Sequence, residues 1–183
     1  MGVNNGTVYG ATFVDGQCGR ALSFDGVDDY VDLGANTLCT AIADWSVSLR
    51  FKIPSGIIPV YGCLFSLKSG GDNFRLLTSS TDIAYAFLIG GGGIQPRRIN
   101  YFLTRDIYYH CVIIYSVSSG FSMYLNTEIQ SLINSPSGNV IQNNRIGLDA
   151  LNNRFKGIID NLQIFNRALT ANEIKRLYLN LGI

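Results

Sequence analysis

The sequence predicts an all-β fold: a two-sheet antiparallel jelly-roll sandwich with a short C-terminal helix. Short apolar or alternating runs recur along the chain, and clusters of Gly, Ser, Asn and Asp separate them. No helical pattern lies between these runs, which argues against the crossover helices of a parallel sheet. Only the segment after residue 170 has apolar residues at helical spacing.

The composition indicates one ordered domain. The chain has 183 residues, of which 47% are hydrophobic and 15% are charged. Such a chain can bury a core, and single β-sandwiches reach this length. A formal net charge of +1 supplies no basic surface for nucleic acid. No apolar run approaches the length of a membrane span. We therefore expect neither a nucleic-acid partner nor membrane insertion.

The first predicted strand is Val8–Phe13, and two more, Ala21–Phe24 and Tyr30–Leu33, flank a turn rich in Gly and Asp. The segment Trp45–Ile53 alternates apolar and polar residues without a break, which places Trp45 in the core. Further strands are predicted at Tyr61–Leu67, Phe74–Thr78, Ile83–Ile89, Arg98–Phe102, Tyr108–Ser116 and Phe155–Phe165.

The C-terminal segment predicts an amphipathic helix. Thr170 and Glu173 have the spacing of a capping box. The apolar residues that follow at helical spacing are Ile174, Leu177, Tyr178 and Leu181. We expect this helix to pack back on the sandwich and cover a sheet edge.

Two segments carry a family resemblance. Gly19–Gly34 reads G-R-A-L-S-F-D-G-V-D-D-Y-V-D-L-G, and Phe155–Tyr178 contains G-I-I-D-N-L-Q-I-F-N-R-A-L-T-A-N-E-I. They resemble the opening and closing signatures of laminin-G-like jelly-roll domains in the concanavalin A-like lectin and glucanase superfamily. The segment Phe121–Asn126 resembles a third segment of the family. Thr127 replaces the glycine that is usual in the turn after it, so the geometry of this hairpin stays open. The resemblance covers nearly the whole chain.

The resemblance implies a structural calcium ion that joins the early turn to the last long strand. Its ligands here would be Asp25, the carbonyl of Gly26, and Asp160. In the alternative interpretation, Asp25, Asp28 and Asp29 only form turn hydrogen bonds and solvate the rim. Calcium favours such oxygen ligands. Both interpretations stay open.

No catalytic constellation is found, so we expect no enzyme activity. Glycosidases of this superfamily need two carboxyl groups across the scissile bond. The chain has two glutamates, Glu128 beside a hairpin and Glu173 in the helix cap. His110 is the single histidine and has no nucleophile signature near it, so a structural role is favoured.

The resemblance implies a non-catalytic recognition module that binds carbohydrate. Aromatic rings stack on sugars, while amide and guanidinium groups bind their hydroxyls. The candidate ligand residues are Tyr85, Tyr101, Tyr108, Tyr109, Arg97, Arg98 and Asn100. Each tyrosine has an ordinary alternative as a packing residue.

The expected partner is a glycan or a glycosylated surface, in an extracellular, cell-surface or virion-associated setting. The N-terminus lacks the basic start and apolar core of a signal peptide. The alternative function is a structural or adhesive building block of a homo-oligomer, a larger surface assembly or a virus particle, without a small ligand.

The four cysteines show no zinc-ligand spacing. Cys63 and Cys111 lie in apolar runs and are predicted to be buried. Cys18 and Cys39 flank the opening signature, and a disulfide between them stays open because the sequence does not give their distance in space.

Overall fold

The computed structural model describes residues 6–34, 39, 43–56, 61–69, 72–79, 83–90, 93–133, 142–149 and 151–180. The strands are β1 (Thr7–Tyr9), β2 (Thr12–Asp15), β3 (Arg20–Asp25), β4 (Tyr30–Asp32), β5 (Trp45–Lys52), β6 (Tyr61–Ser69), β7 (Asp72–Ser79), β8 (Ile83–Gly90), β9 (Gly93–Phe102), β10 (Tyr108–Ser116), β11 (Gly120–Leu125), β12 (Glu128–Ile133), β13 (Gln142–Ile146) and β14 (Lys156–Phe165). The helix α1 spans Ala171–Tyr178.

The strands form two seven-stranded antiparallel sheets. Sheet 1 has the order β1-β4-β13-β6-β7-β8-β9, and sheet 2 has the order β12-β11-β10-β5-β14-β3-β2. Neighbours in sequence are often not neighbours in the sheets, as in β14 between β5 and β3. This arrangement confirms the predicted jelly-roll sandwich.

The prediction of one strand over Val8–Phe13 is wrong. The segment forms two strands that belong to different sheets, β1 paired with β4 and β2 paired with β3. Gly10 between them has φ +73°, and the N–H of Ala11 donates to the carbonyl of Tyr9. Glycine adopts this left-handed conformation without a steric cost, so the chain crosses between the sheets here.

The core lies between the two sheets, and the predicted alternation of β5 is confirmed. Trp45, Val47, Leu49 and Phe51 are buried in one central cluster. The Trp45 indole also packs against three other aromatic rings at centroid distances of 5.7–6.1 Å: Phe74, Tyr115 and Phe121. Burial of these large rings contributes to the apolar area that stabilises the sandwich.

Helix α1 packs on a sheet face rather than on the predicted sheet edge. Ile174 and Leu177 form a second apolar cluster with Leu169 and with Val112 and Ile114 of β10. Because β10 is an inner strand of sheet 2, the helix covers the outer face of that sheet.

The predicted capping box is confirmed, and Leu181 lies outside the described residues. No helix in the described part of the chain is long and apolar enough to cross a membrane.

Buried Arg50 on β5 anchors the C-terminal end of α1. Its guanidinium donates to the carbonyls of Leu177 and Tyr178 at 3.0 and 2.7 Å, and to Oδ1 of Asn180 at 2.7 Å. It also donates to Oε1 of Gln17 in the β2–β3 turn at 3.0 Å. A cation at this end interacts favourably with the helix dipole and satisfies carbonyls that lack an intrahelical partner.

All four cysteines are free, so Cys18 and Cys39 do not form a disulfide. Cys39 is buried in the central cluster, whereas the thiol of Cys18 donates to Oδ1 of Asn180 outside sheet 2. Cys63 and Cys111 are buried as predicted. Burial raises the pKa of Cys39 and that of Cys111 to about 12.

The β11–β12 hairpin has a strained two-residue loop. Leu125 pairs with Glu128, and the two loop residues Asn126 and Thr127 have φ +49° and +79°. Two consecutive positive φ values are typical of the type I′ turns that match the twist of a hairpin. Asn tolerates this conformation, but a β-branched residue such as Thr does not.

We predict that Thr127→Gly raises the free energy of unfolding by about 1 kcal/mol, because glycine removes the Cβ clash of the left-handed conformation. Urea denaturation measures the change. Thr12→Gly, in the extended strand β2, is the control and should lower stability. Equal or reduced stability of Thr127→Gly would show that the loop is not strained.

Candidate functional site

Five of the seven candidate ligand residues lie on adjacent strands at one edge of sheet 1. Tyr85 on β8 is directly opposite Arg98 on β9, and Arg97 is opposite Ala86. Asn100 and Tyr101 follow on the same strand, β9. The register therefore brings these positions together along the β8–β9 ladder.

Tyr109 is not a ligand residue, and this part of the prediction is corrected. Its ring is buried and stacks on Phe51 with centroids 5.8 Å apart. Its hydroxyl accepts from the backbone N–H of Thr104 at 2.8 Å. The register pairs Tyr109 with core residue Phe51, so it faces inward.

Tyr108 is the alternating neighbour and lies at the outer face of sheet 2. It is half-buried, and the Lys52 ammonium lies 4.9 Å from the centroid of its ring. Partial burial raises the pKa of Tyr108, with smaller contributions from the charges of Asp160 and Cys18. This phenol remains partly accessible, but it belongs to a different sheet from Tyr85.

The structure does not bring Asp25 and Asp160 together. Asp25 pairs with Lys156 in the β3–β14 ladder. Asp160 lies four residues further along β14, so its Cα atom is about 13 Å from that of Lys156. The Oδ2 atom of Asp160 instead accepts from the backbone N–H groups of Gln17 and Cys18 at 2.7 and 2.9 Å. Calcium binds its oxygens at about 2.3–2.6 Å, so one ion cannot join both carboxylates.

Asp25, Asp28 and Asp29 form an acidic turn between β3 and β4. Their carboxylate oxygens lie within 4.8 Å of one another. Asp25 accepts from the N–H of Val27, and Asp29 accepts from the N–H of Asp25, both at 2.7 Å. Gly26 has φ +83°, which completes the tight turn. The turn hydrogen bonds expected in the alternative interpretation are therefore present.

The Asp29 carboxylate is buried, which raises its pKa. A hydrogen bond from the Asp25 backbone opposes this shift, and the negative charges of Asp25 and Asp28 add to it. Positive Arg154 opposes it as well. A cation bound to this acidic turn would relieve the repulsion among the three carboxylates.

A groove of about 210 Å³ lies beside the end of α1 and was not predicted from the sequence. Its lining residues are Cys18, Asn161, Gln163, Leu177 and Asn180. Gln163 donates to Asn161 at 2.8 Å, and Arg50 donates to Asn180. The groove is smaller than common ligand sites, and its carboxamides bind one another or Arg50. These residues are distant in sequence, so no local pattern could have grouped them.

His110 and the Arg75–Asp149 pair are buried titratable groups with structural partners. His110 is 2% exposed, and its Nε2 lies 2.8 Å from Oγ of Ser48. Burial, reinforced by the positive charge of Arg50, lowers the pKa of His110 to about 4. Arg75 and Asp149 form a buried ion pair at 3.3 Å.

The two glutamates have separate positions. Glu173 accepts from Arg167 and from the backbone of Thr170, and the Arg167 hydrogen bond is the main cause that lowers the pKa of Glu173 to about 2. Glu128 lies exposed at the start of β12. They therefore do not form a carboxylate pair of the kind that glycosidases use.

Residues 25–175 match the family model of the concanavalin A-like lectin/glucanases superfamily. The match covers most of the chain, so the protein belongs to this superfamily. The resemblance of the opening and closing segments is thereby confirmed. No curated protein matches the chain at a significant level.

Solved structures share this fold. Domain 4 of AbnA, a GH43 extracellular arabinanase from Geobacillus stearothermophilus in complex with arabinotriose, superimposes with a TM-score of 0.77 at 19% identity, over 94% of this chain and 87% of that one. The binding domain of Paraclostridial Mosquitocidal Protein 1 superimposes with a TM-score of 0.77 at 15% identity, over 98% of this chain and 48% of that one.

A heptameric SAP-like pentraxin from Limulus polyphemus gives a TM-score of 0.64 at 16% identity, over 88% of this chain and 82% of that one. The chain spans about half the length of the toxin binding domain it matches. At these identities the similarities show the fold alone.

We predict that His110 makes folding sensitive to acid. The unfolded chain protonates His110 near pH 6.5, whereas the folded chain keeps it neutral down to about pH 4. The unfolded state therefore binds more protons in this range, and the free energy of unfolding falls as the pH decreases from about 6.5 to about 4. Urea denaturation across this range should show a weaker pH dependence for His110→Gln. Identical slopes would show that the pKa of His110 is the same in the folded and unfolded chain.

Proposed function

We propose that this domain is a non-catalytic module that binds carbohydrate. The observation that carries the proposal is the match over nearly all of both chains to an arabinanase domain solved with arabinotriose. Membership of a superfamily of lectins and glucanases supports the same class of ligand. The matched toxin binding domain is a further recognition module on this fold.

The proposed ligand positions are those at the β8–β9 edge of sheet 1. The register places an aromatic residue, Tyr85, opposite a guanidinium-bearing residue, Arg98. Arg97, Asn100 and Tyr101 lie on the same strand, β9. An aromatic ring for the apolar face of a sugar and polar groups for its hydroxyls are the components such a site needs. Tyr108 on sheet 2 is the second proposed location.

The proposed role excludes hydrolysis. The three carboxylates of the acidic turn lie on one five-residue segment, Asp25–Asp29, and two of them accept turn hydrogen bonds. Glycosidases place their carboxyl groups on either side of the scissile bond. An intact oligosaccharide is therefore the expected bound species.

Calcium remains part of the proposal at a revised position. The acidic turn supplies three carboxylates within 4.8 Å of one another, without Asp160. An ion there would fix the β3–β4 turn and order the adjacent rim of the sandwich. Asp28→Asn removes one of the two exposed carboxylates and should weaken this binding.

The proposed setting is extracellular, at a cell surface or on a virus particle, where glycans are displayed. The matched arabinanase is described as extracellular. The heptameric pentraxin gives a specific reason to keep a second candidate, an oligomeric building block that has no small ligand. A multivalent module would combine both roles, since oligomerisation increases avidity for repeated glycans.

We predict that the purified domain binds one class of glycan saturably on a glycan array. Tyr85→Ala or Tyr108→Ala should weaken binding by about tenfold if that ring stacks on sugar. A chelator should weaken it if the acidic turn holds calcium, and Asp28→Asn should then reproduce the effect without chelator.

The control is Leu151→Ala, which removes an exposed side chain outside the proposed site. Incubation with each bound glycan should release no product. Absence of glycan binding in a folded, oligomeric sample would contradict the proposal and favour the building block.

A further inference from the structure

Two tyrosines stack at the outer face of sheet 1, at the edge opposite β9. Tyr9 and Tyr30 are directly opposite in the β1–β4 ladder, with ring centroids 4.6 Å apart and planes inclined by 11°. The intervening pair is Val8 and Val31, and Val31 belongs to the core. The alternation of the strands therefore places both tyrosine rings on the solvent side.

Arg145 supports this pair from the next strand, β13. Its guanidinium carbon lies 5.4 Å from the centroid of Tyr30, and its Nε lies 4.0 Å from Oδ2 of Asp32. Asp32 in turn accepts from the N–H of Gly34 at 2.7 Å. Tyr30 is thus held between Tyr9 and Arg145. These side chains are ordered before a ligand arrives, which reduces the entropic cost of binding.

Tyr9 retains an open ring face at the edge of the sheet. β1 is the last strand on this side of sheet 1, and Tyr9 is 45% exposed. Tyr30 covers one face of its ring, and no other described residue stacks on Tyr9. An exposed aromatic face of this kind matches the apolar C–H face of a sugar ring.

The charges around the pair favour a neutral sugar. A carboxylate oxygen of Asp29 lies directly against Gly10, so the acidic turn borders Tyr9. Without a bound cation, the carboxylates of this turn would repel an anionic sugar such as a sialic acid. They can accept hydrogen bonds from neutral hydroxyls. The Nε of Arg145 is buried near Asp32, but the side chain is 34% exposed, so its terminal N–H groups are the ones that can serve a hydroxyl.

We propose that Tyr9, Tyr30 and Arg145 form the platform on which a neutral sugar ring of the glycan stacks. The inference rests on the proposed carbohydrate-binding function and adds a contact at the β1 edge of sheet 1 to the positions proposed at the β8–β9 edge. Tyr9 provides the ring face, while Tyr30 and Arg145 fix its orientation.

The test measures binding of the full chain to immobilised neutral and sialylated oligosaccharides. Tyr9→Ala should weaken binding of the neutral ligand by about tenfold, the loss expected for one stacked ring. Arg145→Gln should weaken it less, since the ring remains. Phe13→Ala is the matched control, because Phe13 is an aromatic residue on edge strand β2 and is 60% exposed. It should leave the affinity unchanged.

Titration of the isotope-labelled wild-type chain with the best neutral oligosaccharide tests the site without a substitution. Amide shifts should concentrate in residues 7–10 and 30–32. Unchanged affinity of Tyr9→Ala together with a loss in Tyr85→Ala would overturn this site and leave the carbohydrate function intact. Selective binding of sialylated ligands would overturn the charge argument and the site. Absence of any glycan binding would overturn both proposals.

Discussion

The buried guanidinium of Arg50 holds together the parts of the molecule that close sheet 2. It bonds the last carbonyls of α1, the side chain of Asn180 and the β2–β3 turn from one position in the middle of β5. Buried carbonyls that lose such a donor cost about 1–3 kcal/mol each. The same positive charge adds to burial in keeping His110 neutral. The position of the helix, and so the closed face of the sandwich, depends on this interaction.

Helix α1 closes part of the outer face of sheet 2, and most of the proposed glycan positions lie on sheet 1. Helix α1 and its apolar cluster cover β10 from outside. In the middle of sheet 1, Ser66 donates to the carbonyl of Leu148, and Arg75 binds Asp149, so residues after β13 cover that region. The two edges of sheet 1, β1 and β9, lie on either side of this cover. The proposed glycan contacts on sheet 1 lie at these edges.

Local patterns predicted the fold, whereas the site depends on distant pairings. The alternation in β5 and the capping box of α1 involve residues within one element, and both were predicted correctly. Val8–Phe13 was read as one strand because alternation continues across Gly10, where the chain changes sheet. Periodicity separates Tyr108 from Tyr109 but does not show which of them faces the core.

The register between β3 and β14 separates Asp25 from Asp160, and no local signal contains that register. The pairing of Tyr9 with Tyr30 was missed for the same reason, since it joins strands from different parts of the chain.

The most direct test of the account is a crystal structure of the domain with a neutral oligosaccharide bound in the presence of calcium. We expect an intact sugar with one ring stacked on a tyrosine, at an edge of sheet 1 or at Tyr108. A sugar bound elsewhere on the sandwich, or a cleaved product at the acidic turn, would contradict this expectation.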